Sequence, residues 1–193
     1  MQRNLKPVWI AEVMFEEGDR IGEMMGYISI SHLFVLGGLC AIILFCQDPF
    51  TMCVLLTLFV NEGISLVLKR VFNCERPPLS LHNGKGFPSS HTQFWSCFLL
   101  LLQYYINSQK RLTQRAKNLF LCANCFVLIL VNYSRWYLND HYMYQLLAGD
   151  ICGVLIGWVA LYSKNLVVEW LGKAKCFVFN SMKSVGLLTN KEN

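Results

Sequence analysis

Apolar residues along this chain gather in five long runs separated by short polar links. Runs of that length show neither the alternation of a half-buried strand nor the single stripe of a soluble helix. They are the pattern of a chain whose solvent is a bilayer. They predict membrane-spanning helices over 25–46, 50–70, 88–107, 119–134 and 142–163. Gln47-Asp48-Pro49 makes a very short turn between the first two, since Pro after Asp favours a bend and a fresh helix start. Residues 71–87 are rich in Pro, Gly and Asn and read as a loop. The fifth run carries Gly149, Gly153 and Gly157, a spacing that lets helix backbones approach closely and marks a packed face. The expected fold is an all-α polytopic membrane helix bundle of about five transmembrane helices. Its transmembrane domain covers 25–163. Residues 1–24 precede it as a luminal or interfacial segment, with Val8 to Met14 as a short interfacial helix. An amphipathic cytoplasmic tail covers 164–193, with Asn165 to Val185 lying on the membrane surface.

Composition agrees with a membrane chain. Of 193 residues, 54% are hydrophobic and 15% charged, against about a quarter charged in soluble domains. The net charge of +5 comes without a basic stripe interleaved with aromatics, so no nucleic-acid partner is expected. The nine cysteines are odd in number and seven lie in apolar runs, which argues against a disulfide framework. Cys122 and Cys125 form a CxxC with no second pair, and read as small apolar fillers. Glu12, Glu16, Glu17 and Asp19 interrupt the first 20 residues, so no cleavable signal peptide is expected.

Parity then gathers the polar clusters. With five spans, the end of the second, the start of the third, the end of the fourth and the start of the fifth share one side. Lys69 to Pro77, Gly86 to His91 and Ser134 to Gln145 sit at those four ends. The opposite side receives the basic connector 107–118 and the lysine-bearing tail, so the positive-inside rule makes it cytoplasmic. The three clusters face the lumen or exterior.

Lys69, Arg76 and Arg135 bring three cations to that face, which requires an anion. A phosphoryl group fits guanidinium forks and an ammonium point charge. The start of the third helix at Ser89, Ser90 and His91 supplies free backbone N–H groups and a positive helix end. His91 and His141 permit covalent catalysis, one attacking phosphorus and the other protonating the leaving oxygen. No carboxylate pair on this face is spaced to hold a divalent ion, so the expected chemistry needs no metal or other cofactor. Glu62, in an apolar stretch seven residues before Lys69, is a possible partner of that lysine on one helical face.

Lys69-x6-Arg76-Pro77, Pro88-Ser89-Ser90-His91 and Ser134-Arg135-x5-His141 together resemble the three-part signature of the type-2 phosphatidic-acid-phosphatase superfamily. The resemblance implies that Lys69, Arg76, Ser89, Ser90 and Arg135 hold phosphate, that His91 is the general acid and that His141 is the nucleophile. Two positions depart from the usual signature. Ser90 stands where Gly is usual, and Gln145 stands where an Asp four residues after the nucleophile orients the imidazole. A Gln amide accepts from an imidazole N–H but brings no charge. The adjacent Asp140 is an alternative orienting group. Both departures, with Asn61-Glu62-Gly63, Thr92-Gln93-Phe94 and Tyr133-Ser134-Arg135-x-Tyr137-Leu138, resemble the dolichyldiphosphatase branch from about Glu12 to Tyr162. That branch implies hydrolysis of dolichyl diphosphate to dolichyl phosphate and phosphate on the luminal face of the endoplasmic reticulum, recycling a carrier for N-glycosylation. A broader lipid phosphate phosphatase and a non-catalytic membrane scaffold with a relic site stand as alternatives.

Other polar residues have plainer expected roles. His32 is expected to pack within the first span, and His82 to be a solvated loop residue. Asp150 is expected to meet a polar partner on the glycine-lined face. Asn132-Tyr133-Ser134 matches a glycosylation sequon but lies at the membrane rim, so occupancy is not expected.

Overall fold

A computed structural model describes residues 5–7, 13–80, 82 and 84–184. Two short strands, β1 (Leu5–Pro7) and β2 (Met14–Glu16), pair antiparallel. Five helices follow: α1 (Arg20–Cys46), α2 (Pro49–Phe72), α3 (Ser90–Ser108), α4 (Gln114–Tyr137) and α5 (Met143–Ser184). The expected interfacial helix over 8–14 falls mostly outside the described residues. Its last residue, Met14, is in β2, opposite Pro7.

Local chemistry sets the helix ends. Asp19 caps α1 by accepting from the Gly22 amide at 2.9 Å. Asp48 does the same for α2 through Thr51 at 2.7 Å, with Pro49 in the first turn, where a missing N–H costs nothing. Asn73 ends α2 in the left-handed region at φ 49°, a conformation Asn tolerates. Thr113 caps α4. All five helices outrun the apolar runs that predict them, because capping residues and amphipathic turns lie outside the purely apolar stretch. The exceptions are three ends: α1 stops at Cys46 as predicted, α3 begins at Ser90 rather than at 88, and α5 begins at Met143 rather than at 142.

Among the described residues, four helices are long and apolar enough, by length and composition, to cross a membrane: α1, α2, α4 and the 143–174 part of α5. Their outward faces carry Phe34, Phe59, Phe126 and Trp158, all well exposed as lipid-facing residues must be. α3 differs. It is about 28 Å long by its rise, enough to cross the apolar layer, but it lies inside the bundle, with Thr92 to Cys97 all buried.

Polar residues on α3 find partners on its neighbours. The Gln93 side-chain amide donates to the Asn61 backbone and side-chain oxygens at 3.0 and 3.2 Å. Ser96 donates to Asp150 at 2.6 Å, and Asn132 donates to the other Asp150 oxygen at 3.1 Å. The expected polar partner of Asp150 is therefore a pair drawn from α3 and α4. The glycines of α5 face the α3 backbone. A Cβ at Gly153 would lie 2.2 Å from the Gln93 carbonyl oxygen, and one at Gly149 would lie 2.5 Å from that of Ser89. These glycines bring the two backbones together, as their spacing predicts. α5 runs without a break through 164–184, so the expected tail begins as a continuation of the fifth helix.

Candidate active site

All three polar clusters meet at one end of the bundle. Lys69 lies in the last turn of α2, and Arg76 in the loop that follows. Ser89 caps α3, and Ser90 and His91 open it. Arg135 lies in the last turn of α4, Asp140 and His141 in the short link that follows, and Gln145 in the first turn of α5. The loop 73–89 closes on itself through Gly86 N–H to Cys74 O at 2.9 Å and is stitched to the first turn of α5 by Ser89 N–H to Gln145 O at 3.0 Å and the Gln145 side-chain amide to Glu75 O at 2.8 Å.

His141 is 2% exposed, and its ring is fixed. Nδ1 lies 2.9 Å from the Gly86 carbonyl oxygen and 3.2 Å from Gln145 Oε1. Both oxygens only accept, so Nδ1 carries the proton and Nε2 keeps its lone pair. Gln145 thus touches the imidazole as expected, but it shares that task with a backbone carbonyl. Oε1 also accepts from the Tyr142 amide at 3.2 Å. Gly86 can supply its carbonyl only because it has no side chain. A Cβ there would sit 2.7 Å from Gln145 Oε1 and 2.9 Å from Arg76 Cγ.

Burial, and then the Arg135 and Arg76 charges, lower the His141 pKa to about 3, against the smaller opposing pull of Asp140 and Gln145. The imidazole is therefore neutral around pH 7. Its Nε2 lies 3.1 Å from Arg76 Nη1, which also donates to the Asp140 carbonyl at 3.0 Å.

Asp140 has a different place from the one its sequence position suggests. Its carboxylate pairs with Arg135 Nη2 and with His82 Nδ1, both at 2.7 Å, so it braces the arginine and does not reach the imidazole. His82, expected to be solvated, is thereby tied to the site. Burial raises the Asp140 pKa, but the His82 hydrogen bond and the Arg135 charge outweigh it and hold the carboxyl below its usual range. Arg135 Nη1 also donates to Ser29 Oγ of α1 at 2.8 Å. Both terminal nitrogens of this fully buried guanidinium are thus fixed by the protein.

The remaining donors are arranged for an anion. Lys69 Nζ lies 2.9 Å from Ser90 Oγ. Arg76 Nε, Arg135 Nε and Ser89 Oγ are buried without a hydrogen-bond partner among the described residues. Leaving such groups unpaired is costly, and three of them beside a helix N-terminus fit the oxygens of a phosphoryl group. His91 lines a cavity of about 230 Å³ with Ser90, His32, Glu62, Leu58 and Phe94. Glu62 is thus beside the site, on the cavity wall, and forms no ion pair with Lys69 among the described residues. No three His, Cys, Asp or Glu side chains among the described residues are grouped as metal ligands. Sequence reasoning missed the Gly86 carbonyl, His82, Ser29 and the proximity of His32. Of these, only Gly86 carried a signal, as a glycine flanking the second cluster.

A helical membrane bundle with an anion seat and two imidazoles at one end has the architecture of a membrane phosphatase. The chain belongs to the PAP2 superfamily, whose family model matches residues 50–168. It is 32% identical to dolichyldiphosphatase 1 of Homo sapiens over 79% of this chain and 70% of the human one. It is 29% identical to dolichyldiphosphatase 1 of Dictyostelium discoideum over 79% and 69% of the two chains. The fold is similar to the crystal structure of a transmembrane PAP2-type phosphatidylglycerolphosphate phosphatase from Bacillus subtilis. That match has a TM-score of 0.67 and 18% identity, and covers 77% of this chain and 79% of that one.

Proposed function

We propose that this protein hydrolyses dolichyl diphosphate to dolichyl phosphate and inorganic phosphate at the luminal face of the endoplasmic reticulum membrane, through a phosphohistidine on His141 and without a metal ion. In this role it returns the lipid carrier for protein N-glycosylation. The observation that carries the reading is His141: a neutral imidazole with the Nε2 lone pair turned to Arg76 and with Arg135 close by. The dolichyldiphosphatases among its relatives support the choice of substrate.

The terminal phosphoryl group displaces Arg76 from Nε2, and its oxygens take the free donors of Arg76, Arg135 and Ser89. Nε2 attacks the terminal phosphorus. The bond from phosphorus to the bridging oxygen breaks, and that oxygen takes its electron pair and a proton from His91, releasing dolichyl phosphate. The negative charge of the substrate among these cations favours the protonated form of His91. Water, deprotonated by His91, then attacks the phosphohistidine. The P–N bond breaks, its electron pair returns to Nε2, and phosphate leaves. The fixed cations stabilise the charge that builds on the equatorial oxygens in both steps.

The test is phosphate release by the purified full chain from dolichyl diphosphate in EDTA, beside dolichyl phosphate, phosphatidate and a sphingoid phosphate. Release from dolichyl diphosphate at the highest kcat/KM is expected. No release, or a strict metal requirement, sinks the reading, and a preference for phosphatidate makes the protein a broader lipid phosphatase. His141→Ala is expected to lower turnover by a factor on the order of 10³ or more and to abolish acid-labile phosphate labelling of the protein.

A further inference from the structure

The two site histidines are held in different ways. His141 has its Nδ1 proton anchored by two oxygens. Neither ring nitrogen of His91 has a hydrogen-bond partner among the described residues. What meets the His91 ring is another imidazole: His32 of α1, with centroids 4.9 Å apart and planes at 82°. His32 is itself anchored. Its Nδ1 lies 2.9 Å from the Ser29 carbonyl, which can only accept, so Nδ1 carries the proton. Phe94 packs edge-on against the same ring at 5.7 Å. The side chain of Ser29 meanwhile receives Arg135 Nη1. One turn of α1 therefore touches the site twice, through a hydroxyl on a phosphate-seat arginine and through a ring on the proton donor, and none of the three motifs includes it.

We infer that His32 is a positioning residue for His91: its perpendicular ring, pinned to the Ser29 carbonyl, sets the plane from which His91 delivers its proton to the leaving oxygen. This rests on the reading of His91 as the proton donor. His32 need not touch the phosphoryl group, which lies on the side of Arg76, Arg135 and His141. Its place is on the wall of the cavity shared with His91 and Glu62.

A double-mutant cycle tests this. The variants are His32→Ala, His91→Ala and both together, in the full chain, with His32→Phe as a second variant that keeps a ring against His91. His32→Ala is expected to lower kcat by about tenfold, the size of one perpendicular ring contact, with KM unchanged. The double variant is expected to be no slower than His91→Ala alone, and His32→Phe to stay within about threefold of the unaltered enzyme. Equal kcat in His32→Ala and the unaltered enzyme would overturn the inference. So would a double variant about tenfold below His91→Ala, or a loss carried by KM. Should the unaltered protein fail on dolichyl diphosphate, the function reading falls separately, and the same cycle is read on whichever lipid phosphate it does cleave. Should it cleave none, orthovanadate affinity is the readout. Weakening by His32→Ala that disappears in the His91→Ala background supports the inference, and additive weakening overturns it.

Discussion

His141 loses its proton affinity on folding, and that has a consequence for stability as well as for chemistry. Its pKa falls from an ordinary value near 6.5 to about 3 in the folded protein. Between these values the unfolded chain binds a proton that the folded chain does not. The stabilisation is fully present above pH 6.5 and is lost as pH falls toward 3. Asp140, with its carboxyl held low, adds a loss of the same sign only below the ordinary carboxylate range. The thermal midpoint in detergent is therefore expected to fall between pH 7 and pH 4.5, with a slope approaching about 1.4 kcal/mol per pH unit for one proton. His141→Asn is expected to flatten that slope; an unchanged slope would show that other groups carry it. Gln145 makes a second prediction at this scale. In Gln145→Glu the oxygen facing His141 remains, but the donor to the Glu75 carbonyl becomes an acceptor. Two acceptors then face each other in a buried place, at a cost of about 1–3 kcal/mol visible as a lower thermal midpoint. Turnover should survive, because the Gly86 carbonyl and the side-chain oxygen at 145 both still face the imidazole. Loss of turnover without loss of stability would show that a charge beside His141, and not the lost bond to Glu75, disturbs the chemistry.

At the scale of elements, the seam between α3 and α5 sets the site. Gly149 approaches the first turn of α3, where a new Cβ would lie 2.2 Å from Thr92 Oγ1 and 2.5 Å from the Ser89 carbonyl. At Gly157 the tightest contact of a new Cβ would be a Leu100 methyl at 3.0 Å, which a flexible side chain can withdraw, and the Cys97 backbone lies at an ordinary 3.4 Å. Gly149→Ala is expected to cost about 1–3 kcal/mol from overpacking and to lower activity by shifting Ser89. Gly157→Ala is expected to be near neutral in both, and melting and turnover of the pair check the contrast. Equal effects would mean that the seam gives way as a unit. These glycines were legible in the sequence by their spacing, and so were the five helices, from runs of apolar residues that few other environments tolerate. The helix ends moved outward because Asp19, Thr113 and Asn73 act through capping geometry, which hydropathy does not register. Lys69, Arg76, Ser89, Ser90, Arg135, His91 and His141 do come to one end of the bundle, as parity required. What could not be read was which atom serves which. A carbonyl such as that of Gly86 has no signature in a string of side chains. Asp140 looked like a partner of its neighbour His141 because proximity in sequence is not direction in space. His32 and Ser29 lie on α1, a whole helix before the first motif, and only the packing of α1 against α3 and α4 brings them in.

At the scale of the molecule, the proposed orientation has a direct test. Lys110 and Lys85 belong to links at opposite ends of the bundle. Single cysteines at these positions in an otherwise cysteine-free chain, labelled by a membrane-impermeant maleimide in sealed microsomes, should separate cleanly. Lys110→Cys is expected to react from the cytoplasmic side and Lys85→Cys only after permeabilisation, and the reverse pattern would turn the site toward the cytoplasm. The four helices that meet the criteria for crossing a membrane enclose one that does not, and this bears on biosynthesis. A helix bearing Ser90, His91, Thr92, Gln93 and Ser96 in its first two turns has little reason to partition into lipid on its own as it leaves the ribosome. Its Gln93 finds Asn61 on the helix already made, but the Asp150 partner of Ser96 is translated later. The polar face of α3 is therefore satisfied in two stages, and a chain lacking the fifth helix would leave Ser96 without its carboxylate.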